Sequence, residues 1–451
     1  MPILPIDSGR YGSKEIKKIF EEEQHLQYQL DFEAAVSAAQ AHIKMIPEYA
    51  SDDITKKAKS GKITIEKVKE LEAVTEHDTA AVVEALSEQC SEKSKPWIHY
   101  GLTSNDILDT TISMQMKDAF SILESKILDI ATALIDKALE FRTLPAVGRT
   151  HGQHASIIAF GLKFAVWAAE MANHIERIEE GKKRFLLCKT LGVVGTGSLM
   201  GNRALDVQTR VAMDLGLYAV EAATQVIPRE RHAEMQFLIT LVACTLDKIA
   251  IEIRNLQRTE IDEVAESFKS GQMGSSAVPV KRNPIKSERV SSLAKLLRSL
   301  LNVSMENISL WHERDLTNSA NERFTIPMGT ILLDEMLSTM IKVIKDLTIN
   351  IEKISSNLNI TKSQIYAEFV LESLVKKGIP RIEAYSDIQR VAFKAKESNK
   401  EFIQAIKDDP ILSKNFSERE LAELFTPEHH FASGIQIIEN VSSIVKNELS
   451  F

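Results

Sequence analysis

The chain has 451 residues, of which 44% are hydrophobic and 26% charged, and its net charge is −8 at pH 7. This composition is typical of a globular protein with enough apolar residues for a large core, and the length predicts about three domains. The net negative charge argues against general nucleic-acid binding. The only cysteines are Cys90, Cys188 and Cys244, and their wide spacing indicates neither a disulfide framework nor a cysteine-based zinc site.

The chain shows no targeting or membrane-spanning segment in its hydropathy pattern. Residues 1–18 contain no apolar run of signal-peptide type. No stretch approaches the roughly 18 uninterrupted apolar residues of a membrane-spanning helix. Because the separated cysteines also fit a reducing compartment, we expect a cytoplasmic protein.

Long helices are predicted because proline and glycine are scarce, with 12 and 18 residues respectively. From about residue 105 to 141, apolar residues recur at steps of three and four, and a second stripe of this kind extends from about 231 to 268. Both exceed the usual helix length of about 11–12 residues. Such stripes must be buried against other long helices, as in an extended bundle. A coiled-coil rod is the alternative, which the repeated Gly/Ser-rich turns disfavour.

Strand signals are few along the whole chain. Residues 192–201 are expected to form a loop or a short hairpin, and residues 274–284, which contain two prolines, a loop between helices. A break near Lys95-Pro96 and a polar stretch over 350–359 divide the chain. We therefore predict an all-α protein with three helical domains: an N-terminal domain (1–104), a central long-helix bundle (105–352) and a C-terminal cap (353–451).

Polar residues suited to binding and proton transfer concentrate in five segments, namely residues 75–82, 99–111, 148–155, 271–288 and 310–323. Each segment alone has a purely structural interpretation. His77 is then a surface or core histidine, residues 103–106 an N-cap cluster, and residues 312–315 a solvated charged face. The third segment is a polar loop, and residues 274–276 form a simple turn. Together the segments supply hydroxyls, amides, cations and histidines, which suits a substrate with several carboxylates or phosphates and a proton-transfer step.

Metal and nucleotide-cofactor sites are disfavoured by the spacing of their usual ligands. His151 and His154 are three residues apart, and His429 and His430 are adjacent, but neither pair belongs to an HExxH pattern or a carboxylate cluster. A GxxxxGK[ST] phosphate loop is absent, and the glycines of 192–197 do not follow a convincing strand of a βαβ unit. We therefore expect a site that uses no metal and no cofactor.

Taken in chain order, the five segments resemble the fumarase/aspartase superfamily over essentially the whole chain. The most specific match is GSSAVPVKRNP (274–284), which is similar to that superfamily's Gly-Ser-Ser-x-x-Pro-x-Lys-x-Asn-Pro loop. Within the superfamily the chain resembles the adenylosuccinate lyase branch, through HYGLTSNDILDT (99–110), GRTHGQHA (148–155), TQVIPRERHA (224–233), LWHERDLTNSANER (310–323) and GIPRIEAYSDIQRVA (378–392). It departs from the family pattern at Val278, where Met is usual, at Ser156-Ile157, where Glu-Pro is usual, and at Asn321, where a small residue is common.

The resemblance implies a β-elimination that releases fumarate from adenylosuccinate, giving AMP, and from SAICAR, giving AICAR, in purine nucleotide biosynthesis. It also implies a homotetramer, in which the long helices form a shared bundle and each active site draws on three subunits. No cofactor, nucleic acid or membrane partner belongs to this expectation.

By the same resemblance, five residues are expected to be catalytic. Ser275 corresponds to the base and His151 to the general acid, with Glu288 orienting the His151 ring. Lys281 would stabilise the charge that develops, and His77 corresponds to a second active-site histidine.

The remaining site residues are expected to bind substrate. Arg314, Ser319 and Arg323 match positions for the nucleotide phosphate and sugar, and Arg10 and Tyr11 are further phosphate candidates. Carboxylate binding is assigned to Lys281 with Asn283, Thr103 and Ser104. The other substrate-binding candidates are His99, Asn105, Thr150, Gln225 and Ser276.

Two other functions fit parts of the pattern. One is another lyase of the superfamily, of the argininosuccinate or 3-carboxymuconate type, against which the HERD sequence at 312–315 argues. The other is a non-catalytic structural protein that reuses the fold. The presence of Ser275, His151, Lys281 and Glu288 together favours an enzyme.

Overall fold

A computed structural model describes residues 4–269 and 271–448. The protein is 66% helical, and the all-α fold class is confirmed. The helices of the described residues are α1 Lys14–Ile19, α2 Glu22–His42, α3 Glu48–Ala58, α4 Ile65–Thr75, α5 Asp78–Gln89, α6 Ser104–Glu140, α7 Gly161–Phe185, α8 Ala204–Leu215, α9 Glu230–Leu256, α10 Ile285–Glu306, α11 Ser319–Lys345, α12 Ile351–Leu358, α13 Ala367–Lys376, α14 Arg381–Glu397, α15 Phe402–Asp408, α16 Glu418–Leu424 and α17 Ala432–Glu448.

The strands in the described part of the chain are short and form three two-stranded sheets. Two of the sheets are antiparallel and one is parallel: β1 Pro145–Thr150 with β2 Gln153–Ala159, β3 Leu187–Cys188 parallel to β4 Tyr218–Ala219, and β5 Val264–Ala265 with β6 Thr348–Ile349. The β1–β2 hairpin was not predicted. Its register shifts between Gly148 and Arg149, and this irregularity breaks the alternation of apolar and polar residues that marks a strand.

The two long helices differ in how well their ends were predicted. α6 begins at Ser104, one residue from the predicted start, because the Asp106 carboxylate accepts a hydrogen bond from the Thr103 N–H at 2.8 Å and caps the helix. α9 ends at Leu256 rather than near 268, so the predicted end was wrong. The apolar stripe stops there: Glu260 lies at the next helical position, and Asp262 adopts a left-handed φ of 50° that no helix continues through.

The described chain divides into two compact units, each made of separate stretches of sequence. The first comprises residues 4–127, 174–246 and 292–338, and the second 128–173, 247–269, 271–291 and 339–448. The three-domain division at residues 104 and 352 stays a prediction.

Each unit has its own apolar core. In the first, Leu30, Ile54 and Leu86 belong to a cluster that packs α2, α3 and α5 together. In the second, Phe402 and Ile406 are completely buried among residues of α13, α14 and α16. Among the helices of the described residues, none has both the length and the apolar character needed to cross a membrane.

Candidate active site

The start of α6 is fixed by a buried ion pair. Lys189 and Asp106 are both fully buried, and their Nζ and Oδ1 atoms lie 2.5 Å apart. Asp106 also accepts hydrogen bonds from the backbone N–H groups of Thr103 (2.8 Å) and Gly192 (3.0 Å). The pair therefore holds the turn that carries Thr103 and Ser104 against the loop that begins at residue 189.

His77 lies at the start of α5 and caps that helix. Its Nδ1 accepts a hydrogen bond from the Ala80 N–H at 3.3 Å, so in the neutral ring the proton is carried by Nε2. The next residue, Asp78, accepts a hydrogen bond from Arg323 Nη2 at 2.9 Å. His77 thus directly precedes the carboxylate that pairs with a cation of α11.

Gln225 orients a second cation of the site. Its Nε2 donates to the carbonyl of Val193 at 3.0 Å, which leaves Oε1 to accept from Arg314 Nη1 at 2.8 Å. Gln225 therefore acts on Arg314 in this structure. Burial lowers the pKa of Arg314 from its ordinary value, but a guanidinium keeps its charge in proteins.

Two cavities of the first unit, which share part of their lining, bring these groups together. Their volumes are about 490 and 540 Å³, and Arg314, Ser319 and Arg323 line both. The smaller cavity also has His77, Ser104 and Gln225 in its wall, while the larger one includes Asn105 and extends over apolar side chains of α2 and α4. Seven of the predicted site residues thus line one or both of these cavities: His77, Ser104, Asn105, Gln225, Arg314, Ser319 and Arg323.

In the described part of the chain, four substrate-binding candidates of the first unit line neither cavity: Arg10, Tyr11, His99 and Thr103. His99 is paired instead with Glu33, whose Oε1 lies 2.6 Å from His99 Nδ1. Burial opposes protonation of this ring, but the Glu33 carboxylate raises the pKa of His99 overall.

Arg10 and Tyr11 belong to the N-terminal segment. This segment is held to α11 by hydrogen bonds from the Gly12 and Ser13 N–H groups to Glu335 and Asp334. Their assignment to the substrate stays a prediction.

In the second unit, the β1–β2 hairpin presents His151 at its tip. His151 and Gly152 have φ angles of 51° and 73°, the combination of a two-residue type I′ turn. Arg149, next to the turn, forms a bidentate pair with the buried carboxylate of Glu263 at 2.6 and 3.1 Å. The exposed Thr150 and His151 therefore lie at the tip of a hairpin that the Arg149–Glu263 pair holds in place.

The loop 274–284 surrounds Ser275 with hydrogen-bond donors. Ser275 Oγ accepts hydrogen bonds from the backbone N–H groups of Ala277 (3.3 Å) and Val278 (3.1 Å). These donors would stabilise negative charge on the hydroxyl oxygen. Asn283 Nδ2 donates to the carbonyl of Gly274 at 3.0 Å and so closes the loop. Ser276 and Lys281 are exposed on it.

Within the described residues, no hydrogen bond or ion pair links the predicted acid to its predicted orienting group. His151 is exposed at the hairpin tip, and Glu288 is exposed in the first turn of α10. Both belong to the second unit. The role of Glu288 toward His151 stays a prediction that one chain alone does not fulfil. Likewise, no group of three or more His, Cys, Asp or Glu able to hold a metal ion occurs in the described chain.

Replacing Gly274 by alanine should reduce turnover about tenfold or more with little change in thermal stability. An added Cβ would lie closer to the Lys281 carbonyl oxygen than real Cβ atoms approach backbone oxygens, so the loop around Ser275 must shift. Geometry changes of about 1 Å cost up to about 100-fold in rate. Steady-state kinetics and a melting curve would measure both effects.

Gly434→Ala is the matched control for this substitution. Its Cβ would meet nothing closer than 3.8 Å, so turnover should be unchanged. Equal turnover of both variants would show that the closed loop geometry is not needed.

The sequence did not identify three buried charged groups in the wall of the larger cavity. Asp109, Arg229 and Glu322 line the larger cavity, and each is at most 7% exposed. Arg229 and Glu322 lie in segments singled out by resemblance, and Asp109 lies in the segment 99–111. The charge of these three residues was the only hint that the sequence offered, because a sequence does not show whether a charged side chain is buried.

Comparison with known proteins agrees with the fold and the polar segments. Residues 9–296 match the family model described as Lyase, and residues 363–441 match the model described as Adenylosuccinate lyase C-terminus. Adenylosuccinate lyase of Methanocaldococcus jannaschii is 42% identical over 449 residues, covering 99% of this chain and 97% of that protein. The protein of the same name from Pyrococcus abyssi is 42% identical over 446 residues, with 99% and 98% covered.

Among solved structures, a fumarate lyase from Mesorhizobium sp. BNC1 superposes with a TM-score of 0.88 at 26% identity. The match covers 98% of this chain and 100% of that one. The identity to the curated relatives extends over nearly the full length of both sequences, and both family models agree with it. The chain therefore belongs to the adenylosuccinate lyase family.

Proposed function

We propose that the chain catalyses the elimination of fumarate from adenylosuccinate to give AMP, and from SAICAR to give AICAR. The observation that carries this proposal is the smaller of the two cavities of the first unit. In a chain of this family, it gathers two arginines, Arg314 and Arg323, with the hydroxyls of Ser104 and Ser319 and with His77. Guanidinium and hydroxyl donors suit the phosphate and carboxylates of such a substrate.

The reaction requires one proton to leave carbon and one to reach nitrogen. A base takes the proton from the carbon next to a carboxylate, the electron pair forms the double bond of fumarate, and the carbon–nitrogen bond breaks. We assign the base to Ser275, supported by the two backbone N–H groups that point at its Oγ. Lys281 on the same loop supplies positive charge for the carboxylate of the carbanion, with Asn283 closing the loop.

We assign protonation of the leaving nitrogen to His151. An exposed ring on an anchored turn can reach a substrate without moving the rest of the hairpin. Glu288 is proposed to orient that ring, and His77, with its proton on Nε2, to act at the leaving group or phosphate.

Arg323 is proposed to bind the phosphate together with Arg314 and Ser319. Arg323 is paired with Asp78, and its side chain is 66% exposed. A doubly charged phosphate would compete with the single carboxylate of Asp78 for this guanidinium. Arg10 and Tyr11 remain proposed as additional phosphate ligands.

We further propose a cytoplasmic homotetramer whose active sites combine residues of three subunits. Within the described residues of one chain, His151 and Glu288 share no hydrogen bond or ion pair, and a second copy could supply the partner that each needs. Long helices that expose apolar side chains also support it: Val166 on α7 and Phe237 on α9 are 48% and 47% exposed.

Release of fumarate from adenylosuccinate, followed by ultraviolet absorbance, tests the proposed function directly. Argininosuccinate and 3-carboxymuconate are the comparison substrates. Turnover of either one without turnover of adenylosuccinate would replace the proposal by that activity. No turnover of any substrate by a correctly assembled protein would favour a non-catalytic role.

Arg323→Ala should raise the KM for adenylosuccinate by about 10- to 100-fold with a smaller effect on kcat. A hydrogen bond to a charged group contributes about 1.5–3 kcal/mol, and the phosphate is distant from the bonds that change. Arg419→Ala is the control, since Arg419 also forms an exposed pair with a carboxylate, Glu423, at 3.0 Å. Equal KM values for the two variants would place the phosphate elsewhere, for example at Arg10.

A further inference from the structure

Arg229, directly before α9, is buried with its guanidinium facing a carboxylate of α6. It is 3% exposed, and its Nη1 and Nη2 donate to Asp109 Oδ2 and Oδ1 at 2.9 and 2.8 Å. Asp109 Oδ2 also accepts from the Ile227 N–H at 2.7 Å. Burial would raise the pKa of Asp109, but the facing guanidinium holds this pKa below its ordinary value. The pair is therefore ionic, and both of its side chains are almost completely buried.

The same guanidinium also contacts a carboxylate of α11. Arg229 Nη2 donates to Glu322 Oε2 at 3.2 Å, and Nε lies 3.0 Å from Oε1. Asn318 Nδ2 donates to Glu322 Oε2 at 2.9 Å, and His232 Nδ1 lies 3.5 Å from Oε1. One planar side chain thus joins two helices that are far apart in the sequence.

Asp109, Arg229 and Glu322 line the larger cavity, and each lies within five residues of a side chain that lines the smaller one. Asp109 follows Ser104 by five residues on α6, and Arg229 follows Gln225 by four. Glu322 directly precedes Arg323 on α11. The guanidinium of Arg229 therefore connects the segments 104–109, 225–229 and 319–323.

We propose that Arg229 is a positioning residue for the elimination. This inference rests on the proposed function. Arg229 holds the three cavity-lining segments in their relative positions and does not contact the reacting atoms. A guanidinium has N–H donors in a fixed planar arrangement, so it can donate hydrogen bonds to two carboxylates at once. The ammonium group of lysine is a compact point charge without this geometry. Loss of the fork lets the segments shift, and shifts of about 1 Å cost up to about 100-fold in rate.

The experiment compares Arg229→Lys with a control that breaks another ion pair of α6. Lys182→Met removes the partner of Glu124, which lies 2.8 Å from Lys182 Nζ and twenty residues after Ser104 on α6. Melting temperature, kcat, KM and AMP affinity by calorimetry are measured for each, well below the melting point. We expect kcat/KM of Arg229→Lys to fall about 100-fold, equal to about 2.7 kcal/mol, with weaker AMP binding. The control should lower the melting temperature and leave kcat/KM unchanged.

Glu322→Gln keeps the experiment decisive if Arg229→Lys does not fold. It weakens one arm of the cluster and leaves the Asp109 fork intact, so a fall of about tenfold in kcat/KM is expected. Kinetics of Arg229→Lys or Glu322→Gln equal to those of the control would overturn the positioning role.

The unchanged chain separates this inference from the proposed function. If it binds AMP but releases no fumarate, the proposed reaction is wrong and the AMP affinities of the variants decide the role of Arg229. If it neither binds AMP nor releases fumarate, the proposed function and the positioning role that rests on it both fall.

Discussion

Ser275→Ala should reduce kcat by about 1000-fold or more and leave the affinity for the substrate nearly unchanged. A positioned general base contributes about 10²–10⁴-fold, and alanine has no group that can take the proton from carbon. The hydroxyl is proposed to act in proton abstraction, so its loss should appear in kcat and kcat/KM together. The Ser275 Oγ is the oxygen on which two backbone N–H groups converge.

Single-turnover kinetics with the purified variant would measure the chemical step, and calorimetry with AMP would measure binding. Ser276→Ala is the informative comparison, because Ser276 lies next to Ser275 and is exposed on the same loop. Near-normal turnover by Ser275→Ala would mean that Ser275 is not the base. A larger loss from Ser276→Ala, or from a His77 variant, would then identify the base.

Mixing two inactive variants, His151→Ala and Ser275→Ala, should restore activity to about a quarter of the sites. If the two residues of one site come from different chains, each site of a random one-to-one hybrid receives an intact His151 about half the time. It receives an intact Ser275 independently, also about half the time, so about a quarter of sites are complete. The recovery starts from almost no activity, which makes the expected change large.

The hybrids are made by dissociating both variants in mild denaturant, reassembling them together and measuring fumarate release. Each variant is carried through the same treatment alone as a control, and the assembly state is determined by light scattering. Proven hybrids without recovered activity would show that His151 and Ser275 serve the same site from one chain. The proposed sharing of sites between subunits would then be wrong.

The sequence predicted helices best where local chemistry determines them. α6 begins as expected because Thr103 and Asp106 form a local cap within four residues, which the sequence itself displays. The hairpin β1–β2 was missed because its pairing depends on a turn with two positive φ angles at His151 and Gly152, which reads as a polar loop. Its anchor, Arg149 with Glu263, joins residues 114 apart in sequence.

The candidate site was predicted by resemblance to a family more than by periodicity. That resemblance selected His77, Ser104, Gln225, Arg314 and Arg323, and these side chains line one cavity. It did not reveal the Arg229 cluster, because the partners of Arg229 are more than ninety residues away along the chain. Long-range pairing of buried charges has no local signal.

The turn at His151 has a consequence for engineering this protein. A residue with a side chain pays a steric penalty of roughly 1–2 kcal/mol in the left-handed region, and asparagine followed by glycine is the sequence that type I′ turns favour. His151 precedes Gly152 at this position, so His151→Asn would be chosen by any procedure that optimises the turn. Such a procedure would stabilise the hairpin and remove the proposed acid. Selection for turnover and selection for stability therefore oppose each other at residue 151, which should be held constant in any search for a more heat-resistant variant.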